Sequence, residues 1–211
     1  LGLHYEDVAI EDLDNEAAIL AAITHGHPLG YMPAAFLTHI LNRIVYPSDV
    51  KMSLKQIVIE AKNTISNIFK GTKYLKDLCE IVDYAIILSE NGESDYRNIK
   101  ALGEGWVAEE ALAISLYCAL RYENDFSAGI IAAVNHDGDS DSTGSITGNI
   151  LGAINGYDAI EDKWKKNLEL HDVIIEIADD LCYGCNMEEF SSYYDANWAR
   201  KYIDMYWKST E

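Results

Sequence analysis

The 211-residue chain carries 35 Asp and Glu against 16 Lys and Arg, a formal net charge of −19. So acidic a surface repels phosphate backbones and anionic lipid headgroups, which excludes nucleic acid and membrane surfaces as expected partners. The length suits one sizeable core, a single domain over residues 1–211, and no apolar run approaches the roughly 20 residues of a transmembrane helix.

In chain order the pattern is helical almost throughout. Asp14 can cap a helix carrying Ala17, Ala18, Leu20, Ala21 and Ile23. His25-Gly26-His27-Pro28 ends it, because the residue before proline avoids the helical region. A second helix runs through Ala34, Leu37, Ile40 and Ile44 and stops before Pro47. Ser53-Leu54-Lys55-Gln56 is a capping box for a third, with Ile57, Val58, Ala61, Ile65 and Ile68 at helical spacing. A fourth spans about Tyr74 to Leu88, and Asn91-Gly92-Glu93-Ser94 is a turn. After a loop at Leu102 to Trp106, Ala108, Ala111, Leu112 and Cys118 mark another helix. The tail holds one around Asp172 to Leu181 and a last one with Trp198, Tyr202 and Tyr206 as an aromatic stripe. Alternating stretches are scarce, so no strands are expected.

The chemistry concentrates in Ala133-Val134-Asn135-His136-Asp137-Gly138-Asp139-Ser140-Asp141-Ser142-Thr143-Gly144. Asp137, Asp139 and Asp141 alternate along what reads as a short extended segment, which brings their charges to one side. Ser142 and Thr143 add hydroxyls where a helix begins. That all-oxygen set suits a hard divalent cation, and it exceeds what an N-cap needs. An EF-hand is excluded: counted from Asp139 its twelfth position is Ile150, and counted from Asp137 it is Gly148, where a glutamate is required. Gly144, Gly148, Gly152 and Gly156 then recur every four residues. Residues four apart share a helix face, so they form a bare ridge on a helix expected to be central and buried.

This motif resembles the C-terminal metal motif of the ADP-ribosylglycohydrolase family, which includes the dinitrogenase reductase-activating glycohydrolases. Ile23-Thr24-His25-Gly26-His27-Pro28 is similar to a Thr-His segment that lies near bound ADP-ribose in that family. Leu102-Gly103-Glu104-Gly105-Trp106-Val107-Ala108-Glu109-Glu110-Ala111-Leu112 is similar to a loop and helix entering the same cleft. The resemblance implies a compact orthogonal multi-helix bundle. It implies metal-dependent hydrolysis of an ADP-ribose glycosidic bond on a modified protein or a related small molecule. Asp139, Asp141 and Ser142 take the metal-ligand roles, for Mg²⁺ or Mn²⁺. His25, Gly103, Glu104, Gly105, Trp106, Asn135 and His136 fall at substrate-binding positions. The family's Gly-Asp opening helix and Thr-Asp-Asp motif have no counterpart in this sequence. Half of a two-metal site and the catalytic carboxylate are therefore expected from a preceding segment or a second chain, and the chain alone is expected to be inactive.

Two other readings compete. His136-Asp137 is the dyad of HD-type phosphohydrolases, although Gly138 interrupts the helix that normally carries it. Some glycohydrolase relatives are structural or binding proteins, and a chain with half its ligands fits that description. Cys79, Cys118, Cys182 and Cys185 are too few and too irregular for a disulfide framework. The lone Cys182-Tyr183-Gly184-Cys185 pair reads as structural. With no signal peptide at its start, a cytoplasmic location is expected.

Overall fold

The structure, a computed structural model, describes residues 8–47, 51–183 and 199–204. Trp198, Tyr206 and Cys185 lie outside them, so the aromatic stripe and the CxxC pair fall largely beyond the described residues. Every element described is helical, as the sequence pattern requires, and the fold is all-α. The described residues group into two compact units, one ending at Lys165 and the other beginning at Lys166. No described helix is long and apolar enough to cross a membrane.

The first unit contains α1 (Ile10–Ala22), α2 (Pro28–Val45), α3 (Leu54–Ile68), α4 (Leu75–Ser89), α5 (Asp95–Leu102), α6 (Ala108–Arg121), α7 (Phe126–Val134), α8 (Ser140–Asn155), a 3-10 turn (Tyr157–Ala159) and α9 (Asp162–Lys165). The second contains α10 (His171–Tyr183) and a π-helical turn (Ala199–Ile203). Within it Lys201 and Tyr202 both bond the Asp180 carboxylate.

The local signals mostly hold. Ser53 and Gln56 close the capping box of α3, with the Ser53 amide donating to Gln56 Oε1 at 2.9 Å. Pro28 takes the first position of α2, where its missing N–H costs nothing. Asp14 is a correction. It sits inside α1, fully buried, and bonds His39 Nδ1 of α2 at 2.7 Å. An aspartate before an apolar run reads as a cap, but here the partner that explains it lies 25 residues away.

The centre of the core is α6. Its residues from Ala111 to Ala119 are all buried, and it packs against α2, α4, α5, α7 and α8. A helix apolar on every side must lie inside, and each fully buried Ile or Leu, such as Ile114 or Leu116, contributes about 1.5–3 kcal/mol. The expected central helix, α8, instead buries one stripe, Thr143, Thr147, Ile150 and Leu151. Its glycine ridge is used in part. A side chain at Gly144 would meet Val134 of α7 at 2.7 Å, and one at Gly148 would meet Ile130 at 3.5 Å. Gly152 faces open space, and Gly156, with φ of 77°, ends the helix rather than lining it.

Three helices escaped the sequence pattern, the single turn of α9 among them. The first, α5, is short and polar; α7 is apolar all along and carries no period. Asp95 fastens the start of α5 to the end of α6, accepting from Tyr117 Oη at 2.5 Å and Tyr122 Oη at 2.7 Å. Arg121 Nε lies 3.2 Å from the same carboxylate. That anchor places Tyr96 and Lys100 beside the acidic loop.

Candidate metal site at the head of α8

The link from α7 to α8 is a run of bends over residues 135–138, not the extended segment the alternation predicts. Its carboxylates consequently part company. Tyr96 Oη donates to Asp137 Oδ2 at 2.8 Å and draws it toward α5. Asp139 reaches the N-cap position of α8 and donates its amide to the Glu104 carbonyl at 2.7 Å.

Buried Thr143 locks this corner. Its hydroxyl donates to the Ala133 carbonyl at 2.7 Å and lies 3.0 Å from the Asp139 carbonyl. His136 Nδ1 accepts from the Gly138 amide at 3.1 Å, so in the neutral ring Nε2 carries the proton and donates to Thr143 Oγ1 at 2.9 Å. His136 thus braces the turn and touches no carboxylate directly.

Asp139, the N-cap residue, and Asp141 and Ser142 all fall within the start of α8, where the Ser142 amide donates to Asp141 Oδ1 at 3.0 Å. The Asp141 carboxyl first, then the Ser142 hydroxyl, hold the Asp139 carboxyl below the usual carboxylate range. Carboxylates brought close together oppose one another, and a cation relieves that repulsion. Two carboxylates and a hydroxyl are hard oxygen donors and fit part of the roughly six-fold shell of Mg²⁺ or Mn²⁺. Among the described residues no cluster of three or more His, Cys, Asp or Glu adopts metal-binding geometry. The donor set is a partial one.

The loop from Gly103 to Val107 closes over this site. Glu110 Oε2 accepts the amides of both Glu104 and Gly105 at 3.0 Å. Gly103 and Gly105 have φ of 128° and 81°, conformations that L side chains rarely adopt. Glu104 spends its carboxylate on Trp106 Nε1 at 3.1 Å. Trp106 is 67% exposed, which rules out a buried role pinning α6.

Glu109 faces elsewhere, and burial raises its carboxyl above the ordinary value, with His27 and Asp77 among the charges it feels. His27 caps α2, accepting from the Leu29 amide at 3.2 Å, and its ring lies 4.9 Å from that of Tyr74, the residue before α4. The starts of α2, α4 and α6 therefore meet, and Gly105 joins them to the start of α8.

The expected substrate residues divide. Gly103, Glu104 and His136 line a small cavity of about 70 Å³ with Tyr96, Lys100 and Asp137, while Gly105 lies against Thr143 and Asp139. His25 is exposed and bonds Thr24 Oγ1 at 2.9 Å, and Asn135 turns back to the Ile131 carbonyl at 2.7 Å. No hydrogen bond joins either to the cluster among the described residues. Tyr96 and Glu110 bond at this corner without having been given a role in the sequence, and the Thr143 hydroxyl, counted there among the cation donors, is turned to backbone carbonyls instead. For Glu110 alone a signal existed: a glutamate in the first turn of a helix behind a Gly-x-Gly loop, positioned to reach back for amides.

A family model described as ADP-ribosylglycohydrolase matches residues 1–189. Human ADP-ribosylhydrolase ARH3 is 23% identical over 197 residues, covering 82% of this chain and 53% of that protein. The mouse protein of the same name is 23% identical over 185 residues, covering 76% and 48%, and the bovine one 21% over 197 residues, covering 82% and 52%. The chain spans about half the length of the curated relatives it matches. An acidic pair at the head of a glycine-bearing helix, a Gly-x-Gly loop folded onto it and a family match along most of the sequence lead to one assignment: the chain belongs to the ADP-ribosylglycohydrolase family.

Proposed function

We propose that this protein contributes to divalent-cation-dependent hydrolysis of an ADP-ribose glycosidic bond, with an ADP-ribosylated protein side chain or a related small molecule as substrate. The observation that carries the reading is the placing of Asp139, Asp141 and Ser142 at the start of α8, with the Asp139 amide bonded to the Glu104 carbonyl of the Gly103–Val107 loop. Asp139, Asp141 and Ser142 would hold the ion. When bound, it supplies Lewis-acid polarisation and a fixed position for hydroxyl or water oxygens.

Electrostatics supports the same reading. ADP-ribose is an anion, and this protein is strongly acidic, with Asp77, Glu109, Glu110, Asp139 and Asp141 all at helix starts. Helix starts favour a diphosphate, yet carboxylates packed so densely oppose it, and cations resolve that conflict. Trp106 presents an exposed indole suited to a ribose or adenine face. Of the three loop carboxylates, Glu104 and Glu110 are engaged by Trp106 and by backbone amides. Glu109 faces the starts of α2 and α4 instead, where burial raises its carboxyl above the ordinary value.

The test supplies the intact protein, including the segment or second chain that completes the metal site, with Mn²⁺ or Mg²⁺ and peptides ADP-ribosylated on arginine or serine, and measures released ADP-ribose. The expected result is ion-dependent release that Asp141→Asn lowers by about 100-fold or more, the scale of several kcal/mol that a Lewis-acid ion supplies. No release from either peptide with either ion overturns the proposal.

A further inference from the structure

We propose that Glu110 is a positioning residue for the cation site, acting on Asp139 through a single clamped peptide group. The inference rests on the reading of Asp139, Asp141 and Ser142 as cation ligands.

The Glu104 carbonyl and the Gly105 amide belong to one planar peptide unit. Its N–H donates to Glu110 Oε2 at 3.0 Å, and its oxygen accepts the Asp139 amide at 2.7 Å. The preceding amide, that of Glu104, donates to the same Glu110 oxygen at 3.0 Å. Turning the peptide would break the bonds at both of its ends. A carboxylate on the N–H also polarises the carbonyl, which strengthens the bond beyond it. The chain of contacts runs from carboxylate to peptide to the backbone of a ligand residue.

The glycines show how closely the parts are fitted. A side chain at Gly103 would sit 2.3 Å from the Glu110 carboxyl carbon. One at Gly105 would meet Thr143 at 3.1 Å and Asp139 Cβ at 3.6 Å, and one at Gly138 would fall 1.8 Å from the Glu104 oxygen. Gly105 is buried, so an amide deprived of Glu110 has no water to turn to. The bland role for Glu110 is a negative charge in the first turn of α6, favourable to the helix dipole. That role needs charge alone, whereas a clasp needs reach.

Two substitutions separate charge from reach. Glu110→Gln keeps an oxygen at the same distance and loses the charge; Glu110→Asp keeps the charge and falls one methylene short. Calorimetric titration of Mn²⁺ into the folded protein, with each variant's thermal midpoint measured alongside, reads the difference. The clasp predicts that the Gln variant binds Mn²⁺ within a few-fold of the unsubstituted protein. It predicts that the Asp variant binds about 10- to 100-fold more weakly, the usual effect of losing a group that orients a metal ligand, without a matching loss of thermal stability. Asp above Gln, or the two alike, overturns the proposal. Failure of the unsubstituted protein to take up Mn²⁺, or uptake that Asp141→Asn leaves intact, would instead refute the cation reading beneath it.

Discussion

Gly138→Ala is the sharpest perturbation of the seam between the Gly103–Val107 loop and α8. Gly138 does not have a positive φ, so alanine meets no backbone penalty there. The cost is steric. The added methyl would lie 1.8 Å from the Glu104 oxygen and 2.5 Å from its carbonyl carbon, and both are main-chain atoms that cannot rotate aside. Relief requires the loop to move off α8. That movement sacrifices the 2.7 Å bond from the Asp139 amide, worth about 0.5–1.5 kcal/mol, on top of roughly 1–3 kcal/mol for overpacking. A total of about 2–4 kcal/mol, at roughly 2–4 °C per kcal/mol for a chain of this size, lowers the thermal midpoint by about 5–15 °C. Circular dichroism melting reads the shift, and Mn²⁺ calorimetry on the surviving fold should show weakened uptake. A variant that melts within about 1 °C of the unsubstituted protein would refute the tight seam on which the site's geometry depends.

Other substitutions check separate parts of the structure. Gly152→Ala fills open space on a helix face and should raise stability by up to about 1 kcal/mol, the propensity difference between the residues, with a melt as readout. Asp14→Ala or His39→Ala leaves an uncompensated polar group between α1 and α2 and should cost about 3–5 kcal/mol in urea unfolding, with the double variant costing less than the sum. Burial, opposed by the His39 hydrogen bond, raises the Asp14 carboxyl above its ordinary 3.8. The folded state therefore binds this proton more tightly than the unfolded one. Its contribution is fully present below 3.8 and is lost as pH rises through the raised folded value; a stability profile of Asp14→Asn should lack that component. Trp106→Ala, at an exposed position, should leave the melt almost unchanged while raising KM for ADP-ribosylated peptides; an unchanged KM would remove the indole from substrate binding.

The helical class, the capping box of α3, the break at His25 to Pro28 and the family of the chain were all legible in the residues alone. Each depends on neighbours within about four positions or on a contiguous motif, so local stereochemistry decides it. That Asp139, Asp141 and Ser142 stand at the start of one helix was legible for a related reason, because they are neighbours in the chain. Tertiary structure decided the rest. Asp14 reads as a cap until His39 arrives from α2, and Asp137 reads as a third ligand until Tyr96 takes it. The centre of the core moved from α8 to α6, since burial on every side depends on how many helices surround an element. Glu110, Glu104 and Asp139 became one mechanical unit only when a loop and two helix starts were packed together. A hydrogen bond constrains two groups in space, and one chain's order of residues specifies that meeting only after the whole core has formed.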